Sequence, residues 1–313
     1  MKRLTAILLL ISLALGLAAC GGEPEPTPDP HEGMIYVNTG AGEEWVDEAE
    51  GVPVSQLSES DFETGEDGIP VYTGDVYETR LGIDVSFYQG DIDWQAVADA
   101  GIEFAMIRCG YRGSSEGELF VDEKFEQNMQ GAIDAGLDVG VYFFSQSMGA
   151  IEAAEEALFV LDLIKDYDIS MPVAFDWEPL EDSRAEDIND EELTASALVF
   201  CEMVKDAGYT PCVYFYRYIA YHDYDLSRLA DFLFWIGAPG SAPDFYYEAA
   251  IWQFSFTSRI DGIDADVDMN LQFYVPGADP SFPGPEPSPV ETEEPAESPE
   301  PAESPEPAEE TDG

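Results

Sequence analysis

Four acidic side chains each close a short apolar run: Asp84 in LGIDVSFYQG, Asp176 and Glu178 in PVAFDWEP, and Asp268 in DADVDMNLQF. A carboxylate at the end of an otherwise buried strand costs desolvation free energy, so a chain that keeps several there is using them. Asp176 and Glu178 flank Trp177 in a strand-like context. Side chains at i and i+2 of a strand share a face, with Cα atoms about 6.5 to 7 Å apart. Two carboxyls so placed can converge on one bond. Their repulsion pushes their pKa values apart, keeping one protonated as a general acid while the other stays charged. That is the equipment for glycosidic bond cleavage. A bare Asp-x-Glu pair also occurs as metal ligands or as solvated strand-edge residues, so its neighbours must decide.

The elements that position these residues alternate along the chain. Strand-like runs fall at 81–85, 104–109, 139–144, 173–175, 212–215, 232–236, 251–254 and 267–273. Helical periodicity separates the first five, at 93–100, 123–135, 151–167 and 191–207, and weakens after that. Regular alternation predicts an α/β fold with a parallel sheet and right-handed crossovers. A strand count of about eight predicts closure into a TIM-like barrel. In that architecture the site lies at the carboxyl ends of the strands, where Asp84, Glu178 and Asp268 would sit.

The rest of the 313 residues reads differently. Lys2 and Arg3 precede an apolar run of about 14 residues, short of the ~20 that a membrane span needs, and Leu17-Ala18-Ala19-Cys20 follows. This is the layout of a signal peptide over 1–20, and it resembles the lipobox of bacterial lipoproteins, in which the Cys carries the lipid. Residues 21–78 are rich in Glu, Asp, Gly and Pro and read as a flexible acidic spacer, about 40 Å in root-mean-square span. Residues 277–313 carry the repeat PAESPE and read as a disordered tail, leaving 79–276 as the folded barrel. The expected location is therefore outside the cytoplasm, on a lipid anchor at Cys20.

A net charge of −54 argues against nucleic acid, whose phosphates need Lys and Arg. Cys109, Cys201 and Cys212 remain beyond Cys20, an odd number that implies no disulfide framework, although a bridge between Cys201 and Cys212 stays open. His31 and His222 form no cluster, and no metal or nucleotide motif is present, so no cofactor is expected.

Taken in order, Asp84-Val85-Ser86 with Gln89-Gly90, Arg108 with Gly110-Tyr111, Tyr142-Phe143-Phe144-Ser145, Asp176-Trp177-Glu178, Trp252-Gln253-Phe254 and Val267-Asp268-Met269-Asn270 resemble the glycoside hydrolase family 25 lysozymes. The resemblance implies a flattened, irregular barrel of eight strands and about five helices. It also implies muramidase activity on the β-1,4 link from N-acetylmuramic acid to N-acetylglucosamine. Glu178 would be the general acid, with Asp176 orienting the substrate acetamido group or stabilising positive charge at the anomeric carbon. Asp84 would share the catalytic groove, and Asp268, Tyr142, Trp252, Gln89 and Tyr111 would bind substrate. The implied partner is peptidoglycan, met by a monomer.

Structural alternatives stand beside these roles. Asp84 could cap the turn before Phe87, and Asp268 could bond its own loop. Tyr111, Tyr142, Trp177, Tyr214, Tyr216, Trp235 and Trp252 could be sugar platforms or core. Arg108 should pair with a carboxylate inside the barrel, since an unpaired buried guanidinium is costly. Many relatives have His where this chain has Phe143, which removes a polar contact. The rival class is a lipoprotein that grips wall glycan without cutting it. Loss of Glu178 or Asp176 would mark that class, and both are present.

Overall fold

The computed structural model describes residues 29–65, 68–282, 284 and 285. The signal peptide, Cys20 and the PAESPE repeats lie outside them. In chain order the strands are β1 (Met34–Asn38), β2 (Glu43–Asp47), β3 (Phe62–Thr64), β4 (Pro70–Tyr72), β5 (Glu78–Val85), β6 (Phe104–Arg112), β7 (Leu119–Val121), β8 (Asp138–Ser145), β9 (Val173–Trp177), β10 (Pro211–Tyr216), β11 (Leu233–Gly237), β12 (Ile251–Ser258) and β13 (Val267–Tyr274). The helices are α1 (Trp94–Asp99), α2 (Phe125–Asp134), α3 (Ala150–Ile164), α4 (Asp190–Asp206) and α5 (Arg217–His222).

Eight of these strands close a barrel in the order β5-β13-β12-β11-β10-β9-β8-β6, with β6 pairing back to β5. Seven run parallel as expected. β13 departs from the expected parallel sheet, running antiparallel to both β12 and β5. The short link from Ser258 to Val267 holds no helix, so the chain returns as a hairpin where a parallel strand would need a crossover.

Side chains alternate in and out along each strand. Phe104, Met106, Ala174, Cys212, Tyr214, Trp235 and Ile251 fill the interior. Val139, Phe143, Phe175, Val213 and Phe215 point outward into a second apolar layer beneath the helices. The longest helix, α4, begins at Asn189, whose side chain accepts from Glu192 N at 3.0 Å. Acids fill its first turn and Lys205 its last, as the helix dipole favours. Leu193, Ala197, Phe200 and Val204 are buried at helical spacing and face the barrel.

Both flanking segments are more ordered than their composition suggests. Residues 29–65 and 68–78, expected as flexible spacer, form the antiparallel hairpins β1–β2 and β3–β4. Ile35, Val37, Val46 and Val52 join the core, while Tyr36, Glu43, Trp45 and Asp47 occupy exposed positions of the first hairpin. At the other end, the tail was expected to begin at 277, yet the chain stays packed across the amino-terminal mouth of the barrel. Phe282 N donates to Ser170 O at 2.7 Å and Gly284 N to Ile169 O at 2.8 Å. Phe282 packs on the interior cluster. Beside it, buried Arg80 bonds Asp138, and Gln272 Oε1 at 2.9 Å.

Cys109, Cys201 and Cys212 are all free and buried, so the bridge between the latter two is not formed. Burial pushes each thiol up, out of the reactive range.

Candidate active site

At the carboxyl ends of the parallel strands lies a cleft of about 400 Å³. Asp84 from β5, Asp176 and Glu178 from the end of β9, and Asp268 from β13 all line it. Strand alternation explains the convergence. Asp176 and Glu178 both point inward, and Asp84 and Asp268 are direct partners in the antiparallel β5–β13 register. Opposed residues in such a ladder hold their Cβ atoms about 5 Å apart.

Asp84 is held by amides rather than by a turn. Its Oδ2 accepts from Gln253 Nε2 at 2.8 Å and from Asn270 Nδ2 at 2.7 Å. Both amides are fixed in turn, since Gln253 Oε1 accepts from Tyr214 and Asn270 Oδ1 from Trp235 Nε1. The cap before Phe87 is Ser86, which receives Tyr88 N. Burial raises Asp84 to about 6 against the pull of Asn270 and Gln253. Burial and then the charge of Asp84 raise Asp268 to about 8.

Asp176 is 3% exposed, and its Oδ1 has no hydrogen-bond partner among the described residues. Burial, then the charges of Glu178 and Asp84, hold its carboxyl well above the usual range. Glu178 is half-buried, and its Oε2 accepts from Tyr216 at 2.6 Å. Burial raises its pKa, and the tyrosine hydrogen bond opposes the rise. The cluster therefore retains protons toward neutral pH, as a site that must offer one requires.

Aromatic rings build the walls. Tyr142, Phe144, Tyr214, Tyr216 and Trp235 rise from the strands, with Tyr88 and Phe256 at the rim. Tyr88, which is 70% exposed, and Phe256 were not singled out from sequence because they stand on a turn and beyond the matched motif. Gln89 also lines the cleft, and its Nε2 donates to Asp266 O at 3.1 Å, fixing the turn that carries Tyr88.

Two expected substrate contacts are corrected. Trp252 is fully buried on the outer face, donating to Ala238 O at 2.8 Å and meeting Phe62 of the β3–β4 hairpin edge-on. Its neighbour Gln253 faces inward, so strand alternation sends Trp252 outward. Tyr111 does not line the cleft. It stacks on Phe120 of β7 at 5.2 Å between ring centroids. Trp177 likewise points outward into the core. Phe143 takes the outer face against Phe159, so the side chain at that position contributes nothing to the cleft.

Arg108 does find its carboxylate, though beyond the barrel interior. Its Nε donates at 2.8 Å to Asp122, which follows β7. Asp122 also receives Phe87 N at 3.2 Å. The guanidinium lies over the rings of Phe87, Tyr88 and Tyr111, each within 5.4 Å. It is thus a fixed cation on the cleft wall that also orders the aromatic rim.

A closed (β/α) barrel with four carboxyls gathered among aromatic rings at the carboxyl ends of its strands defines the class of barrel glycosidases. Within that class the chain belongs to the glycosyl hydrolases family 25, whose model matches residues 83–263. It is 26% identical to the autolytic lysozyme of Clostridium acetobutylicum over 60% of this chain, and spans only 54% of that relative's length. It is 25% identical to lysozyme M1 of Streptomyces globisporus, over 84% of this chain and 85% of that one. A family 25 glycosyl hydrolase structure from Bacillus anthracis superposes with a TM-score of 0.52 at 25% identity, covering 63% of this chain and 89% of its own.

Proposed function

We propose that the protein is a muramidase that cleaves the β-1,4 bond from N-acetylmuramic acid to N-acetylglucosamine in peptidoglycan. The observation that carries this reading is the pair on β9: Glu178, raised by burial and opening on the cleft, beside Asp176 with an unpartnered buried Oδ1. Burial favours the protonated form of Glu178, which gives its proton to the leaving glycosidic oxygen so that no free alkoxide forms. Asp176 Oδ1 lacks a donor, and the acetamido N–H of the sugar on the other side of the bond supplies one, aligning that group with the anomeric carbon. As the bond breaks, Asp84, whose pKa of about 6 leaves it mostly ionised at neutral pH, sets a negative field beside developing positive charge. The tyrosine and tryptophan rings offer flat faces to sugar C–H groups, and Arg108 offers a donor to carbonyl or carboxylate oxygens. The lipobox at Cys20 supports an enzyme anchored outside the cytoplasm, facing the wall.

Mass spectrometry of products from purified peptidoglycan tests the assignment, with the chain lacking residues 1–20 compared with its Glu178→Gln variant. Muropeptides ending in reducing N-acetylmuramic acid, at least a hundredfold fewer with the variant, are expected. Reducing N-acetylglucosamine ends would refute the bond. Glycan bound but never cut would make the protein a wall-binding lipoprotein.

A further inference from the structure

The amino-terminal hairpin encloses a second cavity of about 610 Å³ against α5 and the β11–β12 connection. We infer that this cavity is a second carbohydrate site, which takes uncharged N-acetylhexosamine units of the same glycan strand beyond the cleft.

Four observations carry the inference, which rests on the muramidase reading for the identity of the strand. The first is proximity. Tyr216 lines the cleft and Arg217 lines the cavity, and successive Cα atoms are about 3.8 Å apart. The second is rigidity. Asn38 Nδ2 donates to Asp244 at 2.6 Å, Arg217 reaches the same carboxylate at 2.8 Å, and Tyr246 N donates to Tyr221 Oη at 2.9 Å. The walls are thus tied together before any ligand arrives, which lowers the entropy lost on binding.

The third is the aromatic content of the hairpin. Tyr36 is 54% exposed on the cavity wall and pairs across the strands with Trp45, which is 43% exposed. Their ring centroids are 5.4 Å apart, and His31 stacks on Trp45 at 4.0 Å. Large rings left in water beside a preformed cavity mark a surface built for contact. The fourth is charge. Glu43 and Glu59 also line the cavity, so it favours the uncharged N-acetylglucosamine units of the strand over the units that bear a lactyl carboxylate. Carboxylates accept hydrogen bonds from sugar hydroxyls, and a neutral sugar meets no opposing field.

The test titrates peptide-free glycan strands, fractionated by length, against the Glu178→Gln protein, which binds without turnover. Tyr36→Ala and Ser241→Trp are each added to it. Ser241 is an exposed lining residue from the β11–β12 connection, and a Trp there takes up cavity space while leaving the hairpin's own residues unchanged. Both changes should weaken long strands about three- to tenfold, the loss of one ring-to-sugar contact, and leave tetrasaccharide binding unchanged. Unchanged affinity for long strands in both variants would overturn the site, with hydrolysis by the otherwise native chain still supporting the enzyme. A loss confined to peptide-bearing strands would assign the cavity to the stem peptide and overturn the sugar assignment. Absence of any hydrolysis or strand binding by the native chain would remove the reading beneath it.

Discussion

Replacing Asp84 with Asn should stabilise the fold near neutral pH while it removes activity. Asp84 is buried, and burial lifts its carboxyl from the ordinary 3.8 to about 6. A carboxyl whose pKa is raised on folding holds its proton more tightly folded than unfolded. Its contribution is then full below the unfolded value and lost as pH rises through the folded one. For Asp84 the window runs from 3.8 to about 6, and at about 1.4 kcal/mol per pH unit the loss is about 3 kcal/mol. Asn cannot charge, and it fits. Its carbonyl can accept from Gln253 and Asn270 as Oδ2 does, and its NH2 can donate to Asp268, which already bonds Asp84. Discounting for relaxation and water entry, a gain of about 1 to 3 kcal/mol near neutral pH remains, or roughly 3 to 10 °C in Tm for a body of this size. The gain should vanish at about pH 3, below the unfolded value of 3.8, where the wild-type carboxyl is mostly protonated in both states. Differential scanning calorimetry of both proteins across this range measures it, with muropeptide release in parallel. Equal or lower stability of the variant at neutral pH, or a gain that does not change with pH, would refute the electrostatic reasoning.

Three other substitutions probe separate parts of the machinery. Tyr216→Phe removes the 2.6 Å hydrogen bond that favours charged Glu178. The alkaline limb of the kcat/KM profile for peptidoglycan should therefore move to higher pH, while an unmoved limb would separate Glu178 from the titration that controls rate. Asp122→Asn leaves the Arg108 guanidinium buried without its counter-charge and should cost about 3 kcal/mol or more in denaturant unfolding. A loss below about 1 kcal/mol would mean that water reaches the pair. Gly82→Ala would place a Cβ 2.3 Å from the Phe104 ring inside the barrel. It should destabilise by about 1 to 3 kcal/mol in the same assay, and a neutral result would require the ring to swing aside freely.

Much of the barrel and of its acid cluster was legible because both depend on features that sequence displays directly. Eight apolar runs with helices between the first five define the strands, and carboxylates that end such runs have few purposes but chemistry. Among the expected substrate contacts, Trp252 departs because strand alternation sends it outward beside Gln253, as it sends Trp177 into the core between Asp176 and Glu178. Counting by twos from Asp268 favours Asn270, and from Asp176 it sends Trp177 outward, whereas β12 carries no acid of the cluster to set the phase of Trp252 and Gln253. The antiparallel β13 was less accessible, since strand direction follows from the length and path of a connection rather than from the strand's own residues.

The amino-terminal segment carries the more general lesson. Its abundance of Glu, Asp, Gly and Pro describes the exposed faces and turns of two small hairpins, and composition counts those before the few residues that are buried. Ile35, Val37 and Val46 are enough to hold the first hairpin because the barrel supplies the other half of the contact. The second hairpin uses Phe62 against Trp252 and Phe273 in the same way. A two-stranded ribbon is marginal in water by itself, so neither hairpin should persist alone, and each gains its order from the domain it covers. That dependence runs both ways. Trp252 and Phe273 form an apolar patch on the outside of β12 and β13 that Phe62 covers, so the acidic segment protects the back of the sheet whose front carries Gln253 and Asp268.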